Sequence, residues 1–500
     1  MSNPNPPAAL PRGRALWLAV AGLALALYGA FLARNFSSVA GGADSSGYLN
    51  SARLLAAGRF AAEPRVPPEF GPPEKVVRQQ FQPHGFVPFD GNPLLSPTYA
   101  PGLPLHLALA GTILGWSLAP VAVGVGGALA ALVLCYAVAR GFGLGSPLAA
   151  AGAAALAGYP VFIFMSIQPL SDTLATVWCL AAILAAQRAA TVPAPGWALA
   201  CGAAVGVAVL VRTTNILIVP AAVALLGLDV RRLGFAVLGG APAALWLGYY
   251  NHTLYGGALQ TGYVNISEAF GWRHSLPTAV HFAQWLALML PAALVALPAV
   301  ALVRGARPVR TGLALGLWFG AFAVVYAFYE ISREVWWDLR FILPGTPALI
   351  IGGLVGLDAL AKSPRARVLS AVGIALWSAG LGWFWTKKHH LLLTPIYERD
   401  YADASAAARE KFPPGTLVIA GLHSGSLFYY TDLAILRWEF VPPADWARLR
   451  ALAENAGRPI GAVLFNLEEK EALRERCTGP WTQVAKINHV TLWRLAAPAP

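Results

Sequence analysis

The chain has 500 residues, 57% of them hydrophobic and only 12% charged, where a soluble domain carries about 25% charged residues. Four scattered cysteines exclude a disulfide framework, the hydrophobicity excludes a disordered chain, and 50 glycines without a period of three exclude collagen. The net charge of +12 sits in short loops between apolar stretches, and no basic run carries interleaved aromatics. Nucleic acid is therefore set aside, and a polytopic α-helical membrane protein in a lipid bilayer remains.

The first apolar stretch, Ala15–Leu32 behind Arg12 and Arg14, reads as a retained anchor with a cytoplasmic N-terminus, because a signal peptide has a shorter apolar core. Ten more follow near 118–139, 146–165, 173–187, 196–211, 214–228, 233–250, 281–303, 311–329, 341–360 and 367–385, giving about 11 transmembrane helices. On this topology the inner loops carry Arg140, Arg188, Arg231–Arg232, Arg304–Arg307–Arg310 and Lys362–Arg365–Arg367, as the positive-inside rule requires. An odd number of spans leaves the tail outside. The chain divides into a membrane domain, 1–385, and an extracytoplasmic region, 386–500.

The first outer loop, about 35–117, is proline-rich, with eleven prolines between Pro64 and Pro104. It opens with GGADSSGYLNSARLLAAGRF, where Tyr48, Ala52, Leu55 and Ala56 share a helical face, which predicts a short interfacial helix. Tyr99–Leu114 is apolar but short, and counting it as a span would move the basic loops outside. It is read as a helix lying in or dipping into the interface. In the tail, Gly415–Gly421, His423–Tyr430 and Leu433–Phe440 alternate strand, helix and strand. Pro459–Asn466, Leu467–Cys477 and Thr482–Ala496 repeat the pattern, which predicts a small α/β domain.

Ionisable groups at a membrane boundary are costly and are functional candidates. The topology brings Asp44, Asp172, Arg212, Arg273, Glu330, Arg333, Glu334, Asp338 and Arg340 to one leaflet from different spans. Asp44 reads either as a general base or as the N-cap of a helix Ser45–Ala57. Asp172 reads either as a substrate-orienting acid or as a helix-terminal charge beside a Ser171 cap. Arg212 and Arg340 read either as phosphate-binding forks or as snorkelling arginines, with an Asp338–Arg340 pair as one internal alternative. The tract Tyr249–Tyr263 suits a loop packed on sugar rings and equally an ordinary interfacial loop. Sequons occur at Asn35, Asn251 and Asn265. No metal site is expected: His389–His390 lacks ligand spacing, and Asp44-Ser45-Ser46 lacks a paired acid. No phosphate-binding glycine loop supports ATP-driven transport.

Six tracts in order, namely ADSSGYLNSARLLAAGRF, PTYAPGLPL, PLSDTLA, VRTTNILIVP, YNHTLYGGALQTGY and LRFILPGTPAL, resemble the polytopic lipid-linked glycosyltransferases of the GT-C fold. The family most resembled is glycosyltransferase family 39, the protein mannosyltransferase-like enzymes with their aminoarabinose transferase relatives. The resemblance implies a reaction: a sugar passes from a polyprenyl-phosphate donor to an acceptor hydroxyl, with inversion, at the extracytoplasmic face. It implies Asp44 as the base and Arg340 as the donor-phosphate ligand, and the reading of the residues adds Arg212 as a second phosphate cation. Asp172, Tyr99, Tyr263, Glu330 and Arg333 complete the candidate site. It implies a multi-pass protein of a bacterial inner membrane, and no cofactor. The prolines Pro101 and Pro104 are expected to frame a groove for the prenyl chain. His423–Asp432 reads as an acceptor-selecting segment or a plain turn of the fold. The sugar, the acceptor (lipid, glycan or protein) and the metal requirement stay open. A transporter or flippase of a lipid-linked glycan is the alternative, although it predicts internal repeats that are not visible. A non-catalytic envelope scaffold is a third reading.

Overall fold

The computed structural model describes residues 12–72, 74–263 and 266–496. The Arg12 and Arg14 side chains, the sequon at Asn265 and the last four residues lie outside the described part.

Every expected apolar stretch is helical. Among the described residues, seven helices are long and apolar enough to cross a membrane: Leu16–Arg34, Ala119–Gly141, Ser171–Thr191, Val230–Tyr255, Val309–Ala327, Trp336–Leu360 and Pro364–Lys388. The remaining four stretches, each expected as a span, are not single helices of that length. Ser146–Ala157 and Pro160–Ser166 meet at 63°, and Trp272–Met289 and Ala292–Val303 meet at 111°. Pro160 and Pro291 follow these breaks, where a ring in place of an N–H ends the helical ladder. Counting each bent pair as one span gives up to nine, and Pro195–Val211 and Thr213–Leu226 are shorter apolar helices.

The two ends of the bundle are distinct. Asp358 pairs with Arg307 at 2.9 Å and with Arg367 at 2.8 Å. Arg307 also donates to the carbonyls of Phe142 and Gly143, and Arg310 to that of Ala224. Four of the basic loops therefore meet at one end, where guanidinium forks satisfy the last carbonyls of neighbouring helices. Helix Ser171–Thr191 runs from the other end and closes on Val138 through Gln187. Its 21 residues cover roughly 30 Å at 1.5 Å per residue, about one hydrocarbon thickness.

At that other end the two loop tracts join. Helix Ala43–Ala56 packs on helix Gly102–Leu114 and on Ser424–Tyr430 of the tail. It is therefore covered by protein rather than laid on lipid: Tyr48 and Ala52 are buried as expected, but Ala56 is exposed while Asn50, Ser51 and Leu54 are buried. Asn50 Nδ2 donates to the Gly425 carbonyl at 3.0 Å and Ser426 Oγ to the Ala40 carbonyl at 2.5 Å. His423–Asp432 is thus the seam between tail and first loop. At the Pro101–Pro104 turn Leu103 and Leu107 are buried, and one recess beside them holds about 10 Å³, at most a single water.

A first-loop hairpin pairs β1 (Phe86–Pro88) with β2 (Leu95–Pro97). The tail is a five-stranded sheet. β3 (Leu417–Ala420) lies parallel to β4 (Ala434–Arg437) and β5 (Ile460–Phe465), and β5 continues antiparallel to β7 (Val490–Leu495) and then β6 (Trp481–Ile487). Thr482–Ala496, expected as one strand, is a hairpin. Asn488, at φ 48°, turns the chain, and Asn is one of the few residues that takes the left-handed region readily. Helices Thr394–Lys411 and Pro443–Asn455 complete the domain.

Candidate functional site

Four charged residues meet at the joined end. Arg340 Nη2 donates to Asp44 Oδ2 at 2.7 Å, and its Nε lies 3.9 Å from Asp172 Oδ1. Arg212 Nη1 donates to the same Asp172 oxygen. The order in space is Asp44–Arg340–Asp172–Arg212, drawn from four elements up to 296 positions apart.

Local structure explains each placement. Asp44 and Asp172 sit in the first turns of helices Ala43–Ala56 and Ser171–Thr191, where unpaired N–H groups and the helix dipole favour an anion. Neither is a capping residue. The caps are Gly42 and Leu170, with no side-chain cap bond, so the capping readings of Asp44 and Ser171 fail. Ser171 Oγ instead meets Tyr48 Oη at 2.9 Å. Arg212 occupies an extended break, φ −149° and ψ 122°, between Pro195–Val211 and a 3₁₀ turn. Arg340 lies within a 3₁₀ run, Trp336–Gly345, unusually long for that geometry. Asp338 opens this run by accepting from the N–H groups of Glu334 and Val335, both at 2.8 Å. Asp338 is thereby bound to backbone, and the alternative of an Asp338–Arg340 ion pair does not form. The two long helices that bear Asp172 and Arg340 are the most enclosed, 67% and 83% buried against 11% and 6% for the spans Leu16–Arg34 and Val230–Tyr255.

Aromatic rings wall the quartet. Tyr99 hydrogen-bonds Asp44, and its ring stands 4.9 Å from that of Tyr48 and 6.1 Å from that of Tyr263. Phe341 lies beneath both guanidinium groups, 5.6 Å from Arg212 and 5.5 Å from Arg340. Tyr326 stacks on Phe341 and bonds Thr214 at 2.7 Å. Tyr48, Phe341, Tyr326 and Thr214 were not among the sequence candidates. Tyr48 was within reach of sequence reasoning, since it stands one helical turn after Asp44.

Glu330 and Arg333 do not join. Glu330 is exposed, and Arg333 turns to His274 Nδ1 at 3.3 Å, beside Arg273. They begin a separate turn, Glu330–Arg333, which leads into the Arg340 segment without entering the site. Tyr249–Tyr263 is half helix. It ends at Gly256 in the left-handed region, and Tyr255 Oη donates to the Pro97 carbonyl at 2.8 Å. This fastens the tract to the first loop, with Tyr263 beside Tyr99. Asn251 is buried, its amide donating to Ala258 O.

The side chains grade in exposure from Asp44 at 28% through Arg340 at 22% and Arg212 at 16% to Asp172 at 2%. Asp44 is the open end, and Asp172 is the buried counter-charge of two arginines. Burial raises the Asp44 carboxyl pKa, but Arg340's charge and hydrogen bond, Tyr99's hydrogen bond and Arg212's charge outweigh it, so the net shift is downward. Asp44 is therefore a carboxylate at neutral pH. Among the described residues no three His, Cys, Asp or Glu side chains gather as metal ligands. The cation between Asp44 and Asp172 is the Arg340 guanidinium.

Asp44 depends on one close approach. A Cβ on Gly47 would lie 2.6 Å from the Tyr99 ring and 2.9 Å from the Gly85 backbone. Gly47→Ala is expected to cost about 1–3 kcal/mol by overpacking, read as a lower unfolding midpoint of the detergent-solubilised protein. An unchanged midpoint would mean that the first loop yields at this contact.

Residues 100–238 match the family of dolichyl-phosphate-mannose-protein mannosyltransferases. By sequence alone, no curated protein matches. Solved structures do match. ArnT from Cupriavidus metallidurans, bound to undecaprenyl phosphate, is 15% identical with a TM-score of 0.64, covering 96% of this chain and 98% of that one. The archaeal oligosaccharyltransferase AglB from Archaeoglobus fulgidus, solved with an inhibitory peptide and a dolichol-phosphate, is 13% identical with a TM-score of 0.51, covering 89% and 69%. The arabinofuranosyltransferase AftD from Mycobacteria is 14% identical with a TM-score of 0.56, covering 97% of this chain but only 42% of its own. The chain is thus a polytopic membrane protein with the GT-C fold of these glycosyltransferases, and over residues 100–238 it matches the protein mannosyltransferase family.

Proposed function

We propose that the protein is a membrane glycosyltransferase that moves a sugar from a polyprenyl-phosphate donor to an acceptor hydroxyl, inverting the anomeric centre. On this reading the N-terminus is cytoplasmic, and the joined end with the tail domain faces the periplasm of a bacterial inner membrane. The observation that carries it is the Asp44–Arg340 pair: an ionised carboxylate at the open end of a buried charge array, in contact with a cation suited to phosphate.

In this reaction the donor phosphate takes the place of Asp44 as the anion on Arg340, with Arg212 as a second positive charge behind it. Asp44, released from its cation, becomes more basic as the donor arrives. The acceptor O–H gives its proton to Asp44, and the oxygen bonds the anomeric carbon from the face opposite the phosphate. The bond from carbon to phosphate oxygen breaks, and polyprenyl phosphate leaves with the electron pair. Its developing charge is met by Arg340. Asp172, almost wholly enclosed, holds both guanidinium groups in place.

The test is transfer in membranes of cells expressing the protein, supplied with a panel of radiolabelled polyprenyl-phosphate sugars. Label is expected in product from one donor and absent from control membranes. Because Arg340 supplies the cation at the carboxylates, transfer is expected to persist in EDTA. Loss of transfer on chelation, restored by added divalent metal, would overturn the metal-free reading. Movement of an intact lipid-linked sugar across the bilayer, without transfer, would favour the flippase.

A further inference from the structure

The tail domain has a second cluster of titratable side chains, away from the quartet. A recess of about 420 Å³ opens between helix Thr394–Lys411 and the β6–β7 hairpin, a volume within the roughly 300–1,000 Å³ typical of small-molecule sites. Tyr397, Glu398, Tyr401, Phe465, Asn466 and His489 line it, together with Asp400.

Asp400 is buried. One of its oxygens takes His489 Nδ1 at 2.8 Å and the other takes Asn488 Nδ2 at 2.7 Å. The Asn488 bond is sufficient to pin the hairpin turn. The His489 bond does something further: it fixes the tautomer and the plane of a ring that is 60% exposed and lines the recess, and it leaves Nε2 outside the Asp400 bond. Tyr397 stands beside that ring at 6.0 Å and is itself 52% exposed. Tyr401 packs edge-on to Phe465. Glu398 is half-buried, and no cation or donor among the described residues partners it. Burial pushes its carboxyl up to about 7. A carboxyl kept without a partner in a cleft is a mark of a ligand site.

The location ties the recess to the quartet. A Cβ on Gly41 would collide with Glu398 Oε2, and the Tyr401 hydroxyl bonds the Gly42 backbone. These glycines immediately precede the helix that carries Asp44. A smaller recess of about 280 Å³ shares Tyr397 and Glu398 and reaches Trp336 and Trp337, where the Arg340 segment begins. The lining therefore touches the segments that hold both Asp44 and Arg340. Flat ring faces, a fixed imidazole and a carboxyl suit the C–H faces and hydroxyls of a sugar. No Lys or Arg is among the lining residues, which disfavours a phosphate or an anionic headgroup.

We propose that this recess binds an uncharged sugar ring of the acceptor, with Tyr397 as the stacking face and His489 and Glu398 as the hydroxyl ligands. The proposal rests on the transferase reading, for it names that reaction's acceptor as a glycan or glycolipid entering from the tail-domain side.

The experiment is saturation-transfer NMR of methyl glycosides on the full-length protein in nanodiscs, run beside the thermal shift given by undecaprenyl phosphate. At least one methyl glycoside is expected to bind wild type at millimolar concentration. Tyr397→Ala and His489→Ala are expected to weaken that binding about tenfold or more, and Glu398→Gln to weaken it less. All three variants should keep the undecaprenyl-phosphate shift, which shows that the fold and donor side are intact. Absence of any glycoside signal on wild type, or equal binding to wild type and all variants, would overturn the acceptor site while leaving the transferase reading standing. Glycoside binding with no response to undecaprenyl phosphate would overturn the transferase reading, and the acceptor assignment with it.

Discussion

Asp44→Asn is expected to lower sugar transfer by about 10²–10⁴-fold, the usual worth of a positioned general base, at unchanged expression. The substitution keeps the shape of the side chain and its bond from Arg340 but removes the capacity to accept a proton. Binding of polyprenyl phosphate is expected to hold or to tighten, because Arg340 loses a competing anion. Single-turnover transfer with radiolabelled donor separates the two effects: the rate falls while donor affinity does not. An Asp44→Asn protein as active as wild type would remove Asp44 from the base role, and the site would have to be rebuilt around another carboxylate.

The pH profile tests the same assignment. The Asp44 pKa is lowered despite burial, through Arg340, Tyr99 and Arg212. The acid limb of kcat/KM is therefore expected below the ordinary Asp value of about 3.9. Arg340→Gln removes the strongest lowering cause and leaves the burial, so the limb moves to higher pH. Stability follows the same sign. The depressed pKa gives a contribution that is full above the unfolded value and is lost as pH falls through the folded one. A limb that stays in place in Arg340→Gln would mean that another group titrates.

The largest effect on stability is expected at Asp172. Its side chain is 2% exposed and answers Arg212 directly and Arg340 at 3.9 Å. Asp172→Ala leaves two enclosed guanidinium groups facing one another with a single remaining carboxylate. Breaking a buried pair from one side costs about 3–5 kcal/mol, a large share of a typical folding stability. Thermal unfolding in detergent should show a drop of many degrees, together with lost transfer. The double variant Asp172→Asn/Arg212→Gln removes charge from both partners and should recover most of the stability but not the activity. A stable Asp172→Ala protein would mean that solvent or lipid headgroups already screen the arginines, and the enclosed array would lose its role as a scaffold for Arg340.

Much of the architecture was legible in the sequence. Long apolar runs announce helices because a bilayer leaves the backbone no other partner than itself, and all eleven expected stretches are helical. The basic loops announced one end of the bundle, and four of them meet through Arg307, Arg310 and Asp358. The strand and helix alternation of the tail was readable from local periodicity. Composition could also nominate Asp44, Asp172, Arg212 and Arg340, since an ionisable group near lipid needs a reason.

Sequence could not say which charge answers which. Asp44 and Arg340 lie 296 positions apart, and their pairing depends on how spans stack, which no local pattern encodes. For the same reason Glu330 and Arg333, as plausible by composition as Arg340, turned away to solvent and to His274. The aromatic wall of Tyr48, Phe341 and Tyr326 and the contact of Glu398 with the Asp44 loop were likewise decided by tertiary structure. Periodicity and hydropathy act over a few neighbouring residues and fix where a helix forms and which end is basic. The site is made of ion pairs and ring contacts between helix ends, and only the packed bundle brings those ends together.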